Sequence, residues 1–466
     1  MRLHRRGADT RVCSAETRLG VPDQHSKRVE TSLDPAGKSA RATSHRGIVM
    51  RQILSLSLLL AAISTAAYAQ APAPLTWNQV RAKFEAANPT LRAGQINIDE
   101  NKALEITAFL RPNPNFSFNM DQFAPFAPSP TYRPLTYAFP LISFNYLHER
   151  DHKRELRRDS AEEATAISVS QQADLIRTLV FTLRSAFVST LQAKAILALA
   201  KDNLAYYDKE LAISRDRLAA GDIAKLDLMR LDLQRVQYES DYETALVNLR
   251  TAKIQLLQLL FDRTPVDQFD VTGPFEFSDR PMSLDDFRNL AMDARPDLKA
   301  AVQTIDKAKV DHKLAISNGS TDPTFSVDAG HNPPIDAYVG FGVTIPLRIF
   351  DRNQGEKLRT QLDIAHAEKM KDAATAQVFS DVDSGYVTLV SSVELLKPYR
   401  DKYLQEAKDI RDTMEYSYQH GQATLLDYLD AQRDYRATYV DYLNLVGSYL
   451  TAAAQLNLAV GREVVQ

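Results

Sequence analysis

The sequence predicts a mainly α protein with a small β part, built from two copies of one unit and able to complete its sheet only with other chains. Three observations carry this. Residues 218–261 and 418–461 align without a gap at an offset of 200, pairing Gly221/Gly421, Leu226/Leu426, Asp227/Asp427, Asp241/Asp441, Tyr242/Tyr442 and Gln255/Gln455. The stretches around them place apolar and Ala residues at three- and four-residue spacing among charged ones, the mark of amphipathic helices. Each half also holds two short runs of strict alternation, four strands in all, too few to close a barrel within one chain.

The bulk numbers agree with a folded chain. Of 466 residues, 44% are hydrophobic and 25% charged, so disorder is not the default. A length prior would give about three domains, but a duplication argues for two equivalent halves of one. The only cysteine, Cys13, precedes the folded part, which therefore has no disulfide or thiol chemistry. No Gly-rich phosphate loop, Ser/His/Asp constellation or basic patch points to nucleotide, hydrolase or nucleic-acid chemistry.

Residues 1–49 carry ten Lys/Arg against five Asp/Glu without apolar periodicity, and read as a mis-called or disordered extension. From Met50 a short basic start, an apolar run Ile53 to Ala67 and the small-residue site Ala67-Tyr68-Ala69 predict a secretory signal peptide over 50–69. No cysteine follows that run, so a lipid anchor is not expected. The rest carries a net charge of about −9 and has no run of apolar residues long enough for a membrane helix.

The first unit spans about 75–262 and the second about 283–461. Each opens with a short amphipathic helix broken at Pro89 or Pro296, a residue that suits the first turn of the helix after it. These helices run to about Leu110 and Ile316. Strands follow over Asn115–Met120 and Tyr132–Pro140, and over Thr324–Ala329 and Ala337–Pro346. In the last of these, Val339, Phe341, Val343 and Ile345 alternate with Tyr338, Gly340, Gly342 and Thr344, as in a strand with lipid on one face and a lumen on the other. Helices of about 144–219 and 222–260, then 355–419 and 422–460, complete the units, each pair turning at its glycine.

This combination resembles the TolC-type outer-membrane efflux proteins over residues 70–466, most specifically in Gly221 with Asp227, and in Tyr418-x-x-Gly421 with Asp427 and Asp430. The resemblance implies a homotrimer with a twelve-stranded transmembrane β-barrel continued by a long α-helical periplasmic barrel. It implies an outer-membrane exit duct, neither enzyme nor cofactor-bound, whose tips at Gly221 and Gly421 dock on a periplasmic adaptor that sits on an inner-membrane pump. Asp427 and Asp430 match the channel constriction, while Asp227 and Tyr418 match an inter-hairpin lock. Three-fold symmetry would set the two aspartates in rings of like charge that favour cations and raise one another's pKa. The family's basic lock partner is Ala423 here. A type I secretion exit channel is the alternative reading. The run Ile345–Gly355 resembles the strand-to-helix junction of outer-membrane partners in heavy-metal (cobalt–zinc–cadmium type) efflux systems, with Asp351 or Asn353 available to cap the next helix.

One motif points elsewhere. His148-Glu149-Arg150-Asp151-His152 fits H-E-x-x-H, the pattern of a zinc metallohydrolase, with Glu162 as a third ligand. Arg150, Lys153 and Arg154 crowd it with positive charge, and no second copy stands at the equivalent junction, so a charged strand-to-helix turn is the expected reading. The tyrosines at 416, 418, 428, 435, 439, 442 and 449 are expected to line helix seams rather than bind a ligand.

Overall fold

The computed structural model describes residues 73–122, 138–278, 282–332 and 335–465. The extension over 1–49, the signal peptide over 50–69 and most of the strand expected over Tyr132–Pro140 lie outside the described residues. The first unit runs α1 (Trp77–Ala87), α2 (Pro89–Phe109), β1 (Asn115–Asp121), β2 (Phe139–Leu147), α3 (Lys153–Ala220) and α4 (Lys225–Leu259). The second repeats that order with α5 (Leu284–Ala294), α6 (Pro296–Ser317), β3 (Thr324–Asn332), β4 (Ile335–Thr344), a column made of α7 (Gln354–Pro398) and α8 (Leu404–Gln419), and α9 (Leu425–Val460).

Local chemistry explains the breaks. Asn88 ends α1 and caps α2, its side chain accepting from the Thr90 and Leu91 amides at 2.8 and 3.2 Å, with Pro89 in the first turn. The 68 residues of α3 make a continuous helix of about 100 Å at 1.5 Å per residue. Its counterpart is not continuous, against the single helix expected over 355–419. Pro398 removes an amide donor, and Tyr399–Tyr403 pass through one π-helical turn before α8 begins.

The start of α3 also differs from expectation. Strand β2 persists to Leu147, so the helix expected from about residue 144 begins at Lys153. Pro140 sits at the second position of this strand, where a missing donor is tolerated, and does not end it. The residues between strand and helix turn through left-handed backbone at Asp151 and His152, with φ of 54° and 56°.

The four strands form one antiparallel sheet in the order β1-β2-β3-β4. Register sorts its side chains by chemistry. One face carries the cross-strand rows Phe116–Phe144–Val327–Phe341 and Phe118–Ile142–Ala329–Val339, and the other carries Ser117–Ser143–Asp328–Gly340 and Asn115–Asn145–Ser326–Gly342. In the apolar rows Phe116 is 69% and Phe341 84% exposed, an arrangement that would be costly in water.

Packing along the helices is divided. Where α1 lies on α3 and the end of α4, Val80, Phe84, Leu183, Phe187 and Leu256 form one core. Where α5 lies on α7 and α9, Phe287, Val382, Leu389, Val446 and Leu456 form its counterpart. Near the hairpin turns the core is aromatic: Tyr207 stacks on Tyr238 with centroids 4.3 Å apart, and Tyr418 on Tyr428 at 5.2 Å. Among the described residues no helix is long and apolar enough to cross a membrane.

Candidate functional site

The hairpin turns share their two closing bonds, and the second adds one from the Ala423 amide to the Ser417 carbonyl at 3.2 Å. The amides of Gly221 and Asp222 bond to the carbonyls of Leu218 and Arg217 at 3.0 and 2.9 Å, and those of Gly421 and Gln422 to Tyr418 and Ser417 at 3.1 and 2.8 Å. This closure needs left-handed backbone at its glycine, with φ of 89° at Gly221 and 73° at Gly421. Nothing lies within 4 Å of where a Cβ would stand at either position, so the requirement is conformational, not steric.

The return helices start differently. Ala224 precedes α4 and offers no side-chain cap. Thr424 caps α9, its hydroxyl accepting from the Asp427 amide at 3.3 Å and donating to the Asp427 carboxylate at 2.6 Å, which also receives the Thr424 amide at 3.1 Å. The Thr424 hydroxyl and amide hold the Asp427 carboxyl below the usual carboxylate range. The mutual raising expected of a ring would act against this, and only in an assembly. Asp430, one turn on, pairs with Arg433 at 3.2 Å. Both aspartates reach the solvent-accessible surface of the single chain.

Tyr418 sits inside the tip, buried between Tyr428 and the guanidinium of Arg217, which lies 5.3 Å above its ring. Its hydroxyl is buried without a hydrogen-bond partner among the described residues. Burial raises its pKa first, the Arg217 charge opposes this, and the nearby Asp227 carboxylate adds to it. Asp227 and Tyr418 are thus neighbours within one chain. Ala423 packs against the same aromatic cluster.

Contacts between the two hairpins within the chain were not read from the sequence. Gln419 donates to Glu210 of α3 at 3.2 Å, and burial pushes the Glu210 carboxyl up against that bond. Arg436 of α9 pairs with Asp241 of α4 at 2.7 Å and lies 4.1 Å over the Tyr238 ring. The one available signal was Asp241, which is shared by both copies of the repeat while Arg436 stands only in the second, opposite Val236.

The H-E-x-x-H segment does not assemble as a metal site. His148 to His152 precede α3, so the two histidines do not share a helical face. Glu149 is clamped by Arg157 at 2.5 and 2.9 Å, Glu162 pairs with Arg158 at 3.2 Å, and the His148 ring packs on Phe325. Among the described residues no group of three or more His, Cys, Asp or Glu side chains is arranged to hold a metal ion. The junction is structural: buried Lys153 donates to Asp322 at 2.6 Å and to the Ser320 carbonyl at 3.0 Å, tying α3 to the start of β3. At the second junction Asn353 occupies the cap position with φ of 60°, but its side-chain amide bonds to the Ala315 carbonyl at 2.8 Å instead of capping α7. Asp351 accepts from the Asn353 amide at 2.8 Å, so neither residue caps the helix by the route expected.

A sheet apolar on one face and polar on the other, carried on helical hairpins of this length, defines the protomer of an outer-membrane channel with a periplasmic helical tunnel. Residues 288–462 match the family model described as outer membrane efflux protein. The cobalt-zinc-cadmium resistance protein CzcC of Cupriavidus metallidurans is 22% identical over 413 residues, covering 84% of this chain and 91% of that protein. The outer membrane efflux protein BepC of Brucella suis is 22% identical over 427 residues, covering 88% and 90%. Among solved structures, CusC superposes with a TM-score of 0.70 at 16% identity, over 83% of this chain and 92% of that one. Residues 288–462 are thus similar to the outer membrane efflux protein family, and the fold over most of the chain is that of the solved channel structures. Its place is the outer membrane, with a large periplasmic part.

Proposed function

We infer that three copies of this chain form the exit duct of a tripartite efflux system. The observation that carries the reading is the sheet. Its outward rows are apolar, and β1 and β4 have no further strand beside them among the described residues. An open edge is not stable in lipid, so further chains must supply the neighbours. Three sheets of four make a twelve-stranded barrel, with Asp328 and the serine and asparagine rows facing water. The helical columns continue it as a tunnel, and the tips at Gly221 and Gly421 meet a periplasmic adaptor coupled to an inner-membrane pump. The chain itself is a conduit that catalyses no reaction.

In that assembly Asp427 and Asp430 ring the periplasmic mouth, and Asp227 and Tyr418 lie at the seam between hairpins. Metal cations are the favoured cargo. The resistance named for the Cupriavidus relative supports this, and so does a mouth lined with carboxylates. Secretion through a type I exporter is the second reading. Membrane fractionation tests the assembly: an outer-membrane, SDS-resistant trimer supports it and a soluble periplasmic monomer overturns it. Single-channel recording tests the mouth. Replacing Asp427 and Asp430 together by Ala should weaken block by multivalent cations, and unchanged block would remove both residues from the lumen.

A further inference from the structure

We propose that the pocket around Arg184 is a binding site for a small amphipathic carboxylate. The cavity, of about 930 Å³, lies between α1, α3, the end of α9 and residues 461–465. That volume suits a small organic ligand, for which pockets run from roughly 300 to 1,000 Å³. Much of the lining is apolar, from Ile176, Val180, Leu450, Ala454 and Val464. On the same stripe of α3 as Ile176 and Val180, the cavity also presents the guanidinium of Arg184, 4.6 Å from the Trp77 ring centre and 5.8 Å from that of Phe187.

The charges in this pocket are not equivalent. Arg177 is engaged by Asp174 at 2.5 Å and by the Leu458 carbonyl at 2.6 Å, and Arg81 by Glu85 at 2.8 Å and Glu463 at 3.2 Å. Arg184 differs: among the described residues no carboxylate, carbonyl or hydroxyl bonds to it, and its side chain meets the two aromatic faces. Burial lowers its pKa, and the charge of Glu463 opposes this only in part. A half-buried guanidinium leaves its planar fork of donors unmatched, and the partner that fits that fork is a carboxylate. Arg462 and Glu463 also line the cavity, Glu463 already paired with Arg81, so it is the apolar lining that favours a carboxylate with a hydrocarbon body over inorganic phosphate. An apolar body attached to the carboxylate would cover the aliphatic lining.

The site carries its own reporter. Trp77 is the only tryptophan in the chain, and its indole donates to Glu463 at 3.3 Å beside Arg184. The full-length protein in lipid nanodiscs is titrated with 3-cyclohexylpropanoate, with its uncharged amide and with inorganic phosphate, while Trp77 fluorescence is followed. The carboxylate should give a saturable change, and the amide and phosphate should give none at the same concentrations. Arg184→Gln should weaken apparent affinity about tenfold or more, and Arg184→Lys less, because a charge-assisted bidentate pair is lost in the first and degraded in the second. No saturable response to the carboxylate, an equal response to the amide or to phosphate, or full affinity in Arg184→Gln would each overturn the proposal. Should the variant not fold, the comparison of acid with amide on the unaltered protein decides alone. The site owes nothing to channel function, so its failure would leave the exit-duct reading standing.

Discussion

Arg295 offers the sharpest test of how the second unit is held together. It occupies the position that Asn88 holds in the first, yet a guanidinium cannot cap a helix. Instead it is buried and donates four bonds: to Asp297 at 3.0 and 2.5 Å, to Asp381 at 2.8 Å, and to the Ala459 carbonyl at 3.2 Å. One side chain therefore ties the α5–α6 corner to α7 and to the last turn of α9. Removing one partner of a buried ion pair costs roughly 3–5 kcal/mol. Here Asp297 keeps Arg177 at 3.7 Å and Asp381 keeps Gln377 at 2.6 Å, which places Arg295→Met near the lower end, about 3 kcal/mol. Arg295→Lys, which keeps the charge but not the fork, should lose about half as much. Denaturant midpoints followed by circular dichroism read both. The pH dependence adds a second arm. Burial would push the Asp297 carboxyl up, but the bonds and charge of Arg295 outweigh it and hold it below the usual range. A group depressed in the folded state contributes stability above its unfolded pKa of about 3.9, lost as pH falls through the folded value. That acid loss should shrink in Arg295→Met. A variant as stable as the parent, with the same acid profile, would refute the account.

Two further predictions concern the sheet and the second tip. Phe341 ends an outward apolar row on β4, so Phe341→Lys should destabilise the membrane-inserted form by about 2–4 kcal/mol, whereas Asp328→Asn on the other face should not. Heat stability of the folded form on semi-native gels separates the two, and equal loss from both would reverse the assignment of faces. Thr424→Ala removes the cap of α9 and should speed hydrogen exchange at Leu425–Asp427 about fivefold, with the Asp427 carboxyl moving up toward its ordinary value. Unchanged exchange would mean that the turn, not Thr424, starts the helix.

Which features the sequence disclosed depends on the range over which each is encoded. The tip glycines were legible because a left-handed turn between two long helices leaves few residues to choose from, and both turns close with the same two bonds. The faces of the sheet were legible because period-two alternation translates directly into rows, as Phe341 and Val339 show. The junctions were not. Asp151, His152 and Asn353 adopt positive φ without being glycine, held by contacts to residues more than thirty positions away, such as Ser317 to the Asp151 carbonyl and Asn353 to Ala315. The π turn after Pro398 had a visible cause, but a proline in a long amphipathic run can kink, end or interrupt a helix, and the periodicity on both sides is the same. Contacts such as Gln419 with Glu210 depend on how one column is rotated against another, and that phase is set by packing, not by spacing.

These local facts bear on why the two tips are not interchangeable. In the first, an uncapped helix follows an uninterrupted column, and among the described residues Asp227 is held by neither cap nor arginine. In the second, a capping box fixes Asp427, Arg433 steadies Asp430, and Tyr418 is packed beneath them, while a π turn breaks the column behind. The second hairpin meets the first through the Gln419–Glu210 and Arg436–Asp241 contacts, with the π turn at Tyr399–Tyr403 behind it, and the first hairpin has no such turn in its column.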